Sequence, residues 1–192
     1  PGSVTSLGTY VFQDCAALTS AAFGEGVTVI PNYAFDGCSA LAKVTLPATL
    51  TEIGANAFNG CTALTAATIP SGVTKIGNYA FQNSGLTSVS VPGSVISLGT
   101  SVFQNCTALT SAAFDHGVTV LPDYALYGCT ALSKVTLPAT LTEIGADAFY
   151  GCTALTAVTI PSGVTKIGNS AFQSSGLTSV SVPGSVTSMG TY

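Results

Sequence analysis

Pro47-Ala-Thr-Leu50-Thr-Glu-Ile53-Gly-Ala-Asn-Ala57-Phe58-Asn-Gly-Cys61-Thr-Ala-Leu64-Thr-Ala-Ala67-Thr-Ile69 is one unit of 23 residues, and Pro70 opens the next. Its apolar addresses are Leu50, Ile53, Ala57, Phe58, Cys61, Leu64, Ala67 and Ile69, and the following unit answers with Val73, Ile76, Ala80, Phe81, Leu86, Val89 and Val91. Thr, Ser, Asn and Gln fill the positions between. A unit this short cannot bury such a face against itself, so it stacks on its neighbours and shares a continuous core with them. The expected product is a β-rich repeat solenoid.

Outward from this stretch, prolines at 47, 70, 92, 138, 161 and 183 mark the period at intervals of 22, 23 or 46 residues. The units, numbered in chain order, are 1–23, 24–46, 47–69, 70–91, 92–114, 115–137, 138–160 and 161–182, with a partial ninth at 183–192. A longer period overlies the short one. Residues 92–182 repeat residues 1–91 with 17 differences, so 74 of 91 positions are identical and 192 = 91 + 91 + 10. Neither end carries the charge or irregularity that blunts an exposed sheet edge. The expectation is an excerpt of a longer array, or a chain that associates end to end.

Within a unit, the segment before the proline reads as a strand: Leu41 to Leu46, Leu64 to Ile69 and Leu132 to Leu137 share the pattern Leu-x-x-apolar-x-apolar. This is the pattern of leucine-rich repeats, in which each coil contributes one parallel strand. The proline removes a ladder donor and ends the strand. A second short extended run, Val73 to Gly77, follows, and the Ala-Phe dipeptide is carried inward by a turn or a short 3₁₀ piece. No window supports a regular helix.

The string Ala34-Phe35, Cys38, Leu41, Val44, Leu46, Pro47, Leu50, Ile53, Gly54 resembles the BspA-like, or Treponema pallidum-type, leucine-rich repeat. The resemblance covers all eight complete units, including those where Asn83-Ser84-Gly85-Leu86 shortens the loop. It implies a cell-surface or extracellular protein that binds a protein or cell-surface partner without catalysis.

Composition excludes several other classes. Charged residues make up 6% of the chain, against about 25% in ordinary domains. Low charge and high apolar content are the reverse of a disordered chain. Four Lys and no Arg against eight acids remove the electrostatic footprint of nucleic-acid binding. No apolar run approaches the ~20 residues of a membrane span, and Pro1-Gly2-Ser3-Val4 has no signal-peptide character.

Six cysteines at 15, 38, 61, 106, 129 and 152 occupy one column, with Ser84 and Ser175 in the short units. In-register side chains point inward in parallel, which disfavours disulfides, and a linear file does not converge on a metal. Cys15, Cys38, Cys61, Cys106, Cys129 and Cys152 are therefore expected as buried thiols. The backbone-satisfying role of the polar residue in ordinary leucine-rich repeats is not expected of them, because they precede the strand. The only imidazole, His116, sits in an Asp115-His116-Gly117 turn with no nucleophile placed to meet it. Enzyme activity, a metal site and a cofactor are not expected. Asp14, Asp36, Asp123 and Asp147 lie in separate columns, and the sequon Asn105-Cys106-Thr107 has an inward middle residue.

Glu52 with Lys75, and Glu143 with Lys166, share a column one coil apart and read as inter-coil ion pairs. The candidate binding face is the outward side of the first strand: Thr19, Thr65, Thr87, Thr110, Thr156 and Thr178, with Lys43 and Lys134 beside them. Thr favours such half-exposed pleated positions on structural grounds alone. A second Thr column runs Thr5, Thr28, Thr51, Thr74, Thr119, Thr142, Thr165, Thr187, with Ile96 interrupting it. Of the 17 differences between the halves, 11 flank the Ala-Phe segment, and one, Ala42 against Ser133, falls on the outward strand face. Tyr10, Tyr33, Tyr79, Tyr124, Tyr127 and Tyr150 lie in that variable segment and are candidate aromatic anchors, with drift after duplication as the other reading.

Overall fold

The computed structural model describes residues 4–191, so Pro1 and Tyr192, which bound the first and last units, lie outside the described residues. The chain forms a parallel β-solenoid with no helix among the described residues. Coils carry up to two short strands each. One line of strands comprises β1 (Ser20–Ala22), β3 (Lys43–Thr45), β6 (Ser88–Val91), β8 (Ser111–Phe114) and β10 (Lys134–Thr136). The other comprises β2 (Val29–Ile30), β4 (Glu52–Ile53), β5 (Lys75–Ile76), β7 (Ser97–Leu98), β9 (Val120–Leu121), β11 (Glu143–Ile144), β12 (Lys166–Ile167) and β13 (Ser188–Met189). Every pairing is parallel, for example Glu52 beside Lys75 and Val89 beside Ala112.

The core follows the repeat. Leu50, Ile53, Ala57, Phe58, Cys61 and Leu64 are completely buried, as are their counterparts in the neighbouring coils. Phe12, Phe35, Phe58, Phe81 and Phe103 form one stack with centroid spacings of 5.2, 5.4, 5.3 and 5.7 Å. Leu126 interrupts the column, and Phe149 and Phe172 resume it at 5.1 Å.

The turn around Ala-Phe is the most continuous ladder in the molecule. Tyr33, Phe35 and Gly37 donate their N–H groups to the carbonyls of Ala55, Ala57 and Asn59 in the next coil, at 2.9, 2.8 and 2.9 Å. The same three bonds recur down to Asp147, Phe149 and Gly151, which donate to Asn169, Ala171 and Gln173. The geometry needs two left-handed residues per coil, which turn alternate N–H groups toward the next coil. One column is Tyr10, Tyr33, Asn56, Tyr79, Ser101, Tyr124, Asp147 and Ser170, all with φ between 51° and 62°. The other, directly before the Cys column, uses Gly37, Gly60, Gly128 and Gly151, and otherwise Asp14, Asn83, Asn105 and Ser174. Gly enters this region without steric cost, and Asp and Asn are the next most tolerant.

The two strand lines are interrupted, and proline explains where. In the first line the ladder forms between coils 1 and 2, 4 and 5, and 5 and 6. Each of these pairs includes a coil whose strand is followed by Gly24 or Asp115. Where both coils carry proline there, at Pro47 and Pro70, Pro70 and Pro92, Pro138 and Pro161, or Pro161 and Pro183, no ladder forms. The N–H of Asp115 bonds the Val91 carbonyl at 2.9 Å, a bond that proline cannot donate. Leu64–Ile69, expected as a strand from its pattern, therefore forms no strand; only the Thr65 carbonyl is bonded to the next coil, accepting the Thr87 N–H at 3.0 Å, and open clefts flank the segment on both sides.

The second line breaks for a related reason. Gly54, Gly77, Gly145 and Gly168 donate to Ile30, Ile53, Leu121 and Ile144 of the preceding coil, each at 2.7 or 2.8 Å. A Cβ on Gly54 would lie 2.6 Å from the Asn32 nitrogen, so the backbones pack in direct contact here. Pro31 and Pro122 occupy this address in coils 2 and 6. They have no N–H to give, and their rings do not fit such an approach. Accordingly, β2 and β9 have no partner on the preceding coil, and Ile96 stands 81% exposed beside the opening. Each junction that loses one strand ladder keeps the other, and the turn ladder runs through all those between complete coils.

Candidate functional site

The threonine faces are built into the backbone. Thr87, Thr110 and Thr178 donate their hydroxyls to the carbonyls of Thr65, Thr87 and Thr156 one coil back, at 3.2, 2.9 and 3.4 Å. The second column repeats the contact, with Thr51 to Thr28 at 3.0 Å and Thr142 to Thr119 at 3.0 Å. The hydroxyl protons of these donors are engaged within the stack, so at their positions the face offers methyl groups and acceptor oxygens. Thr19 opens the column, its carbonyl accepting from Ala42 and Lys43. Lys43 and Lys134 are exposed and belong to neither of the two ion pairs found among the described residues. Those pairs join Lys75 to Glu52 at 2.8 Å and Lys166 to Glu143 at 2.7 Å. The Glu143 contact raises the Lys166 pKa. With the lysines about half exposed, such pairs contribute little more than register.

All six cysteines are free thiols, five of them buried. Cys15, expected to be buried, is exposed: it lies in the first coil, and no described residue stacks on its outer side. The others do make the backbone contact that their place in the repeat argued against. Cys38, Cys61, Cys106, Cys129 and Cys152 donate to the carbonyls of Phe12, Phe35, Phe81, Phe103 and Leu126, at 3.0 to 3.3 Å. The left-handed turn leaves that carbonyl facing the next coil's thiol, a geometry that residue spacing alone does not show. Burial pushes the Cys61 and Cys152 thiols up to about 12 and Cys106 to about 11. They are not nucleophiles near neutral pH. Ser84 fills the slot in a short coil and pairs with the Cys106 sulfur at 3.3 Å.

His116 and Asp115 lie exposed in their turn. Among the described residues no group of acidic, His or Cys side chains converges on a metal site. Asp36 is instead held between amides, accepting from Gln13 at 3.0 Å and Asn59 at 2.9 Å.

The tyrosines do come together, through positions the pattern singled out for variability but not for conformation. Tyr10, Tyr33, Tyr79 and Tyr124 are the left-handed residues of their coils. Tyr10 stacks on Tyr33 with centroids 4.8 Å apart and planes 18° apart. In the second half Tyr127 stacks on Tyr150 at 4.8 Å, and Tyr124 lies 5.9 Å from Tyr127 at a tilt of 54°. The signal that could have found this column was a set of Tyr, Asn, Asp and Ser at one address, two residues before the Phe column in which Leu126 is the one exception.

Taken together, the parallel coils, the inward Leu, Phe and Cys columns and the ladder-forming turns define an all-β leucine-rich repeat solenoid. More narrowly, a family model for the BspA type leucine rich repeat region matches residues 1–110 and 74–192, in six copies, and the chain belongs to that family. The solved structures it is similar to include a leucine-rich repeat protein from Bacteroides ovatus, with a TM-score of 0.93 at 28% identity. That likeness covers 97% of this chain and 49% of the other, so the chain spans about half the length of that relative. A T. pallidum leucine-rich repeat protein is 31% identical, with a TM-score of 0.73 over 81% of this chain and 75% of that one. A leucine-rich cell surface protein from Faecalibacterium prausnitzii is 29% identical, with a TM-score of 0.55 over 95% of this chain and 62% of its own length. A search of curated proteins returns no match.

Proposed function

We propose that the chain is a non-catalytic binding module of an extracellular or cell-surface protein, holding a protein or cell-surface partner through its strand faces. The observation that carries this reading is the duplication of those faces. The outward first-line columns differ between the halves at one position, Ala42 against Ser133, while the turns diverge freely. Two like faces on one rigid stack suit weak contacts made more than once, where linkage multiplies affinity. The printed description of the F. prausnitzii relative as a cell surface protein supports the location. Presenting immobilised chain to a panel of matrix proteins and intact cells tests it: saturable retention of one class is expected, and no retention on any panel overturns it.

A spacer or filament segment that associates end to end is the second reading. It is supported by β13, which pairs with β12 in the register of the other second-line strands, so this unit meets coil 8 through the same stacking contact. Electron microscopy of purified chain would reject it if every particle had one short length.

A further inference from the structure

Of the seven Asn residues in the chain, one, Asn59, is followed by Gly. Asp36, at the same address one coil earlier, is followed by Gly as well, and the second half carries Tyr127 and Tyr150 at these two positions. An Asn-Gly pair is open to reaction with itself, because a following residue without a Cβ leaves its backbone nitrogen free to approach the Asn side chain. Attack of the Gly60 nitrogen on Asn59 Cγ forms an N–C bond and expels the side-chain nitrogen as ammonia, which carries off the Gly60 amide proton. Water then opens the succinimide ring at either carbonyl and leaves aspartate or isoaspartate.

The fold ties down each group in that reaction. Gly60, which supplies the nucleophile, donates its N–H to the Gln82 carbonyl at 2.9 Å from a left-handed conformation with φ of 69°. The Asn59 Nδ2 that would leave donates to Asp36 Oδ1 at 2.9 Å, and Asn59 Oδ1 accepts from Asn83 Nδ2 at 3.3 Å. Asp36 is steadied in turn by Gln13, which donates to its other oxygen at 3.0 Å. The Asn59 carbonyl accepts the Gly37 N–H at 2.9 Å, so the residue is also a rung of the turn ladder. Coil 3 needs that rung. Both of its first-line junctions lack a strand ladder, which leaves mainly the second line and the turns to join it to coils 2 and 4.

We propose that Asn59-Gly60 is a latent self-modification site, kept unreacted by the turn ladder and converted to aspartate or isoaspartate when coil 3 opens. The conversion runs one way. Aspartate at this position sets a second carboxylate against Asp36 where an amide had donated, so the 2.9 Å bond becomes a like-charge contact. Isoaspartate routes the backbone through the former side chain, and the added carbon shifts the rungs at Gly37 and Gly60 out of register. Either product weakens a turn rung that the open first line of coil 3 does not replace. The change is confined to the first half, because Tyr127 and Tyr150 have no side-chain carbonyl to attack. It lies on the turns and does not depend on what the strand faces bind.

The test is peptide mapping by mass spectrometry on the intact chain, incubated at mildly alkaline pH either folded or in guanidinium. Asn59 is expected to be the first Asn converted in the unfolded chain. In the folded chain it is expected to react at least about tenfold more slowly, a ratio set by how seldom coil 3 opens. Asn83→Ser removes the donor on Asn59 Oδ1 and installs the residue that coil 8 carries as Ser174, with φ of 56° against 55°. It should raise the folded-state rate about threefold, the worth of one exposed hydrogen bond, and leave the unfolded rate unchanged. Asn59→Asp, the direct product, should speed amide exchange at Gly37, and should do so less once Asp36→Ser has removed the facing carboxylate. Equal rates in the folded and unfolded chain would overturn the proposal, as would a folded-state rate that Asn83→Ser does not change. Unchanged exchange at Gly37 in the Asn59→Asp chain would overturn the one-way release.

Discussion

Replacing Pro70 with Asp, the residue that follows the strand of coil 5 at this address as Asp115, should close the first-line sheet around coil 3. In the native chain Ala66, Ala67, Thr68 and Ile69 donate to no other backbone group among the described residues. Coil 5 shows what the change would restore: β8 pairs with β6 over four residues and with β10 over three, and Asp115 adds its own N–H to the Val91 carbonyl at 2.9 Å. Counting only about four new well-formed bonds at about 0.5–0.8 kcal/mol net each gives about 2–3 kcal/mol. Losing the proline returns conformational freedom to the unfolded chain and takes back about 0.4–1 kcal/mol. The net expectation is a stabilisation of about 1–2 kcal/mol. The reciprocal change, Asp115→Pro, removes a donor and sets a ring between Pro92 and Pro138, opening both of the junctions β8 now closes; a loss of about 2–4 kcal/mol is expected. Equilibrium guanidinium unfolding followed by circular dichroism reads both. A lower midpoint for Pro70→Asp, or an unchanged one for Asp115→Pro, would refute the proline account.

The phenylalanine stack predicts a graded series: Phe58→Ala should lose about 3–5 kcal/mol to the cavity between Phe35 and Phe81, whereas Phe58→Leu should lose about 1 kcal/mol, since Leu126 already serves in that column. Unfolding midpoints measure both, and equal losses would contradict the packing argument. The buried thiols predict a pH dependence. Their folded pKa values lie above the ordinary 9.0, so their contribution is complete below pH 9 and falls as pH rises through the folded values near 11 and 12. Each such thiol adds a slope on the order of 1 kcal/mol per pH unit in that window, and Cys61→Ser should flatten the curve of midpoint against pH. Pro122→Gly should join β9 to β7 and slow amide exchange at Thr119 and Val120, the counterparts of Thr51 and Glu52, which donate to the preceding coil; exchange there as fast as in the native chain would show that proline is not what separates coils 5 and 6.

Much of the stack was legible because its signal is repetition. A residue such as Phe58 or Leu64 recurs at one address in coil after coil, and only the interior makes that demand. Strand pairing was less legible, because it is a property of two coils at once. Leu64–Ile69 carries the same pattern as Leu41–Leu46, and only the prolines of its neighbours decide that it stays unpaired. Conformation was hidden further still. Nothing in the apolar pattern marks Tyr33 or Tyr124 as left-handed, because an exposed residue in that region leaves no hydrophobic trace. The cysteine contact was missed for the same reason, since the carbonyl it reaches is presented by that turn. The ion pairs Glu52–Lys75 and Glu143–Lys166 could be placed from the column alone, as side chains one coil apart are neighbours by construction.

A turn ladder runs through every junction between complete coils, while proline opens one strand ladder at a time. Residue-resolved amide hydrogen exchange on the unmodified chain tests this directly. The slowest amides should be the inward turn positions Phe35, Phe58, Phe81, Phe103, Leu126 and Phe149, and Ala66 to Ile69 and Ala157 to Ile160 should exchange fast between them. Uniform protection along all the strand segments, with fast exchange in the turns, would contradict it.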